Sequence, residues 1–180
     1  FETFVAGISL PRVTTYFICS TCYDLKDVRS ELANYLKQNN KVLWSESDEF
    51  PVDFRIHSHD VCLHNVALCD HLIVIIDRRY GGIYAGKDFP QKDISITQYE
   101  IETALSLEKP VTTFVRSNVW NERATYKKNK KANIDIIPAH VDDVRVFDLI
   151  DFINQSGQNW IYQFENSVDL KVKLENILQL

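Results

Sequence analysis

The chain has 180 residues, 45% hydrophobic and 25% charged, ordinary figures for one globular domain with a real core. Its net charge of −5 argues against a nucleic-acid-binding module, whose surface would be strongly basic. No apolar run reaches membrane-spanning length and no basic-then-apolar leader pattern occurs, so neither nucleic acid nor membrane is an expected partner.

The elements follow in chain order. Phe1 to Arg12 is a lead-in, in which Gly7 and Pro11 argue against one regular element. Thr14 to Cys19 is β-branched and aromatic and reads as a strand. Ser20 to Tyr23 is a loop, and Asp24 is the expected cap of a helix carrying Leu25, Val28, Leu32 and Leu36 at helical spacing. Val42-Leu43-Trp44 is a short second strand. Ser45 to Ile56 is a polar, acidic loop with Pro51 in it, and His57 to Cys69 is a second helix. Leu72 to Ile76 is an unbroken apolar run between turn residues, the signature of a parallel strand covered on both faces. A long loop from Arg78 to Asp93 carries Gly81, Gly82 and Gly86.

The next helix begins at Ser95, whose hydroxyl is placed to accept from the first free backbone N–H groups. Ile101, Ala104 and Leu105 share one face of it, Glu100 borders that face, and Glu102 is rotated to the other side. Lys109-Pro110 stops the helix, and Val111 to Val115 is a fourth strand. A helix is expected around Val119 to Lys128, and the short basic cluster Lys127 to Lys131, broken by Asn129, reads as its solvated end. Val144 to Phe147 is read as a last short strand, Asp148 to Asn154 as a helical turn or two, and Val168 to Leu180 as a closing helix.

Strands alternating with helices predict a flavodoxin-like α/β sandwich: three layers around a mostly parallel sheet of about five strands. One domain over residues 1–180 is expected, and its start at Phe1 without a Met suits a fragment of a longer protein. The four cysteines do not make a disulfide framework and are read as free thiols in a reducing cytoplasm.

In such sheets ligands bind beyond the carboxyl ends of the strands. The residues there are Ser20 to Asp24, Ser45 and Glu46, Asp77 to Gly82, and Arg116 to Asn118. The Glu100 helix starts beside the same rim. No GxGxxG and no GxxxxGK[ST] is present, so neither a dinucleotide fingerprint nor a P-loop is supported. Cys19-Ser20-Thr21-Cys22 falls between a strand and a helix, but an Asp24 cap would leave Cys22 outside the helix, where the dipole helps a redox thiolate little. The Cys and His spacings match no structural zinc pattern, and there is no Gly-x-Ser-x-Gly elbow.

Several segments together are similar to a TIR-like family of unknown function, found at the N-terminus of bacterial and some animal multidomain proteins. They are Phe17 to Arg29, Cys69-Asp70, Arg79-Tyr80-Gly81-Gly82, Ser95-Ile96-Thr97 with Glu100, and Lys109-Pro110. The likeness covers roughly Thr15 to Trp120. That family resembles true TIR domains and nucleoside deoxyribosyltransferases in fold. Many TIR domains hydrolyse NAD with one Glu on the helix after the third strand, and Glu100 is the matching position. Gln98 and Tyr99 stand where TIR domains commonly carry other residues, a Trp and a Cys.

The resemblance implies NAD as substrate with no resident cofactor, Glu100 as the catalytic group, and self-association through the loop Ser45 to Ile56. It implies an assembly-activated effector in bacterial defence or signalling. Tyr23 or Tyr80 would stack on a ring, and Arg79 or Arg29 would pair with the diphosphate. Ser20, Thr21, Asp24, Glu46, Gly81, Gly82, Ser95 and Thr97 complete the expected binding set. The chemistry suits one carboxylate, because the cationic nicotinamide ring already weakens its bond to ribose. Negative charge beside the forming oxocarbenium ion then lowers the barrier. Two alternatives stand beside it: a non-catalytic self-association module, and a nucleoside or nucleotide N-glycosidase or transferase using Glu100.

Overall fold

The computed structural model describes residues 13–21, 24–157 and 159–178. The lead-in Phe1 to Arg12, and Cys22 and Tyr23, lie outside the described residues. The elements are β1 (Thr15–Ser20), α1 (Lys26–Leu36), β2 (Lys41–Leu43), α2 (Ser58–Leu68), β3 (His71–Ile76) and α3 (Ile96–Ser106). They continue with β4 (Val111–Arg116), α4 (Ser117–Lys131), α5 (Arg145–Gln155), β5 (Trp160–Phe164) and α6 (Ser167–Leu178). All five strands are parallel, in the order β2-β1-β3-β4-β5, which is the flavodoxin-like arrangement the alternating pattern predicts.

The two faces of the sheet are covered by different helices, and the strands alternate between them. Phe17, Cys19, Leu72, Val74, Ile76 and Val115 pack with Val61, Val66, Ile101 and Ala104 of α2 and α3, and with Val146, Phe147 and Ile150 of α5. Tyr16, Ile18, Ile73, Ile75 and Phe114 pack on the other face with Leu32 and Leu36 of α1 and Leu170 and Leu174 of α6. In β3 every residue from Leu72 to Ile76 is buried, as a strand covered from both sides must be. Each such side chain contributes about 1.5–3 kcal/mol of burial.

Three expectations are corrected. Val144 to Phe147 is not a strand, because Val146, Phe147, Leu149, Ile150 and Ile153 recur at helical spacing and form the buried stripe of α5. The fifth strand is instead Trp160–Phe164, an edge strand whose residues are mostly part-exposed, so it carries no continuous apolar run. Asp24 does not cap α1. Leu25 is the N-cap and gives no side-chain cap bond, while the Asp24 carboxylate accepts from the Thr21 hydroxyl at 2.6 Å. The basic cluster does end a helix: Lys128, Lys130 and Lys131 fill the last turn of α4, where cations suit the helix dipole.

Candidate functional site

The strand order reverses between β1 and β3, and a crevice opens outside the carboxyl ends of those two strands. It is a cavity of about 490 Å³. Its walls are Ile18, Ser20 and Thr21 of β1 and its loop, Ser45 and Glu46 after β2, and Ser58, His59 and Cys62 of α2. Arg79, Gly81 and Gly82 after β3, and Ile96, Thr97 and Glu100 of α3, close it. The cavity thus gathers Ser20, Thr21, Glu46, Arg79, Gly81, Gly82, Thr97 and Glu100 of the residues the sequence singles out.

The start of α3 is held firmly. Ser95 is its N-cap, accepting from the Gln98 N–H at 3.1 Å, as expected. The loop after β3 folds back on it: Ile96 N–H donates to Gly82 at 2.9 Å, and Tyr84 N–H to Ile94 at 2.9 Å. Gly81 has φ +93°, and a Cβ there would stand 3.3 Å from both Thr21 Cγ2 and Thr97 Oγ1. That close approach seals β1 against α3 at the rim.

Glu100 is 5% exposed. Burial pushes its carboxyl up to about 7, against the lowering influence of the Cys19 thiol, the Arg29 guanidinium and the Cys62 thiol. The neighbouring Cys19 thiol is itself raised well above its ordinary value, by burial first and then by Glu100. Near neutral pH a population of ionised carboxylate therefore sits in the cavity wall with weak thiol donors for company. The expected contrast with Glu102 holds in the structure, where Glu102 accepts from Lys92 at 2.6 Å and from Gln98 at 2.9 Å.

Arg29 is 1% exposed and lies outside the lining. It donates to Ser45 Oγ at 3.0 Å and to Glu46 Oε2 at 3.5 Å, so it ties the first helix to the loop after β2. Its Nε, also buried, has no hydrogen-bond partner among the described residues. The structure places three expected binding residues elsewhere. Tyr80 is buried beside the site; its hydroxyl donates to Gln98 at 2.6 Å and accepts from Ser95 N–H at 3.3 Å. The Arg145 guanidinium covers the Tyr80 ring at 4.4 Å. Ser95 is fully buried as a cap, and Asp24 holds Thr21.

Sequence reasoning missed Ser58, His59 and Cys62. The signal that finds Glu100 could have found them too, since α2 follows β2 as α3 follows β3 and both helices begin at the same rim. A buried acid anchors this part of α2. Asp60, 1% exposed, accepts from the Tyr84 hydroxyl and from Lys87 N–H at 2.8 Å. A Cβ at Gly86 would overlap Asp60 Oδ1, so only glycine lets the loop close here.

The model of the family described as Domain of unknown function (DUF4062) matches residues 15–179, and the chain belongs to that family. No curated protein matches the chain significantly.

Proposed function

We propose that this member of a family without a known function is a TIR-like domain that cleaves the N-glycosidic bond of NAD and releases nicotinamide. The observation that carries the reading is Glu100: a carboxyl buried in a cavity wall, raised to about 7, at the carboxyl ends of β1 and β3. A stability-driven fold has little reason to bury an acid beside two thiols, which are weak hydrogen-bond donors.

In this reading the ionised Glu100 faces the ribose as the bond breaks. The bonding pair leaves with nicotinamide, neutralising its ring, and the carboxylate stabilises the oxocarbenium ion that remains. Water adds to that ion, giving ADP-ribose and a proton. Arg79 pairs with the diphosphate. Thr97 and Ser20 offer hydroxyls to the ribose. NAD is substrate, and no resident cofactor is called for. We further propose action in the cytoplasm as an assembly-activated effector in bacterial defence or signalling.

One feature favours a second reading, a self-association module without catalysis. In the loop between β2 and α2, Phe54 is 95% exposed and Val52 is also exposed, so an apolar tip stands in water. The test is nicotinamide release from NAD over a range of protein concentrations, with Glu100→Ala beside the wild type. Release that rises more steeply than protein concentration and vanishes in the variant supports the enzyme. Release unaffected by the substitution contradicts it. No release, together with self-association lost on Phe54→Ser, favours the module.

A further inference from the structure

His59 is the second residue of α2, and Cys62 follows it at i+3, so the two share a helix face and both line the cavity. The Cys62 thiol reaches Glu100. His59 therefore stands about 5 Å along the cavity wall from a side chain that touches the carboxylate. Its ring is fixed on both sides, edge-on to His57 at 4.7 Å and against Tyr84 at 6.0 Å. Tyr84 in turn is held by Asp60.

The tautomer follows from one hydrogen bond. Ala85 N–H donates to His59 Nδ1 at 3.1 Å, and a backbone amide can only donate. Nδ1 therefore carries the lone pair and Nε2 carries the proton. Among the described residues no protein acceptor meets that Nε2–H. A wall of the cavity thus holds a donor that no described residue of the chain accepts from.

We infer that His59 is a substrate-binding residue that donates its Nε2–H to a carbonyl oxygen on the leaving base, the carboxamide oxygen in the case of NAD. The inference rests on the NAD-cleaving reading of the cavity. Electrostatics distinguishes His59 from Arg79, which lines the same space. Burial and the nearby His57 lower the affinity of His59 for a second proton, against the pull of Asp60, so the ring is neutral at pH 7. Arg79, a permanent cation, suits the anionic diphosphate and would be repelled by a pyridinium ring. A neutral donor is the kind that a cationic base tolerates beside it, while Glu46 and Glu100 supply the negative charge that attracts that base.

The experiment is calorimetric binding of NAD, nicotinamide and ADP-ribose to Glu100→Gln protein, in which turnover is blocked, with and without a second change at His59. His59→Asn keeps an acceptor near the Nδ1 position for Ala85 and loses the reach of Nε2. His59→Gln keeps a donor near the Nε2 position. The expected result is about tenfold weaker binding of NAD and nicotinamide in His59→Asn, unchanged ADP-ribose, and recovery in His59→Gln. Equal affinities in all variants, or an equal loss for ADP-ribose, would overturn the inference and leave the NAD reading standing. Failure of the parent Glu100→Gln protein to bind either NAD or ADP-ribose would overturn both.

Discussion

Two buried carboxylates sit on neighbouring helices of this molecule and are treated in opposite ways. Around Asp60 on α2 the chain has built a clamp: a tyrosine hydroxyl and backbone N–H groups converge on the acid, and Gly86 makes room for them. Burial alone would raise the Asp60 carboxyl, but those bonds and His57 hold it below its ordinary value. Around Glu100 on α3 there are thiols, the Arg29 guanidinium and a cavity, and its carboxyl rises to about 7. The first acid stabilises the fold. The second costs the fold stability, which is consistent with the catalytic role proposed for it.

The largest effect expected on the proposed reading is on activity. Glu100→Gln should lower nicotinamide release about a thousandfold, measured on protein whose folding is confirmed by circular dichroism. Below pH 7 the wild-type rate should fall about tenfold per unit, because the ionised form is the active one and the group is half ionised near pH 7. A flat profile from pH 5.5 to 8 would erase the distinction between the two acids.

The next effects are on stability, with opposite signs. A carboxyl raised from 4.5 to about 7 binds more protons in the folded state than in the unfolded one across that window. Its contribution therefore worsens as pH climbs from about 4.5 to 7 and then levels. Glu100→Gln removes that penalty and should stabilise the protein by about 3 kcal/mol at pH 8 and by nothing near pH 4.5. Asp60 runs the other way: its folded value is lowered, so its contribution is present above its unfolded value and is lost as pH falls. Asp60→Asn should destabilise by about 2 kcal/mol at pH 7, because Tyr84 and Lys87 N–H donate to different carboxylate oxygens and an amide replaces one of them with an NH2 donor. Thermal unfolding at the two pH values measures both.

Two smaller effects sharpen the comparison. Arg29→Met removes a positive charge that lowers Glu100, so the pH profile of activity should move to higher pH. Glu102→Ala breaks an ion pair with the part-exposed Lys92 and should change stability by less than about 0.5 kcal/mol, leaving activity intact. Equal losses from Glu100→Ala and Glu102→Ala would remove the reason for singling out one acid.

Much of the fold was legible because burial imprints period on sequence. The run Leu72 to Ile76 announced a central strand, and Ser95 before Ile96 announced the start of α3. β5 leaves little trace in the sequence because an edge strand buries little, and the start of α5 reads as a strand because β-branched Val144 and Val146 outweigh its helical stripe. The placement of Glu100 at the rim followed from topology alone. What could not be read was which polar side chains spend themselves on the protein. Tyr80 and Arg79 are adjacent in sequence, yet Arg79 lines the cavity and Tyr80 holds α3 through Gln98 and Ser95. His59, Cys62 and Asp60 sit within four residues, and only long-range contacts with residues 84–87 and Glu100 separate anchor from lining.

The measurement that tests the contrast most directly is the titration of Glu100 itself, followed through its side-chain carboxyl carbon by NMR with Glu100→Gln assigning the signal. A midpoint near 7, with Asp60 titrating below the ordinary range, is the expected result. A midpoint near 4.5 would mean that Glu100 is solvated or paired like any surface acid, and the case for it as the reacting group would fall.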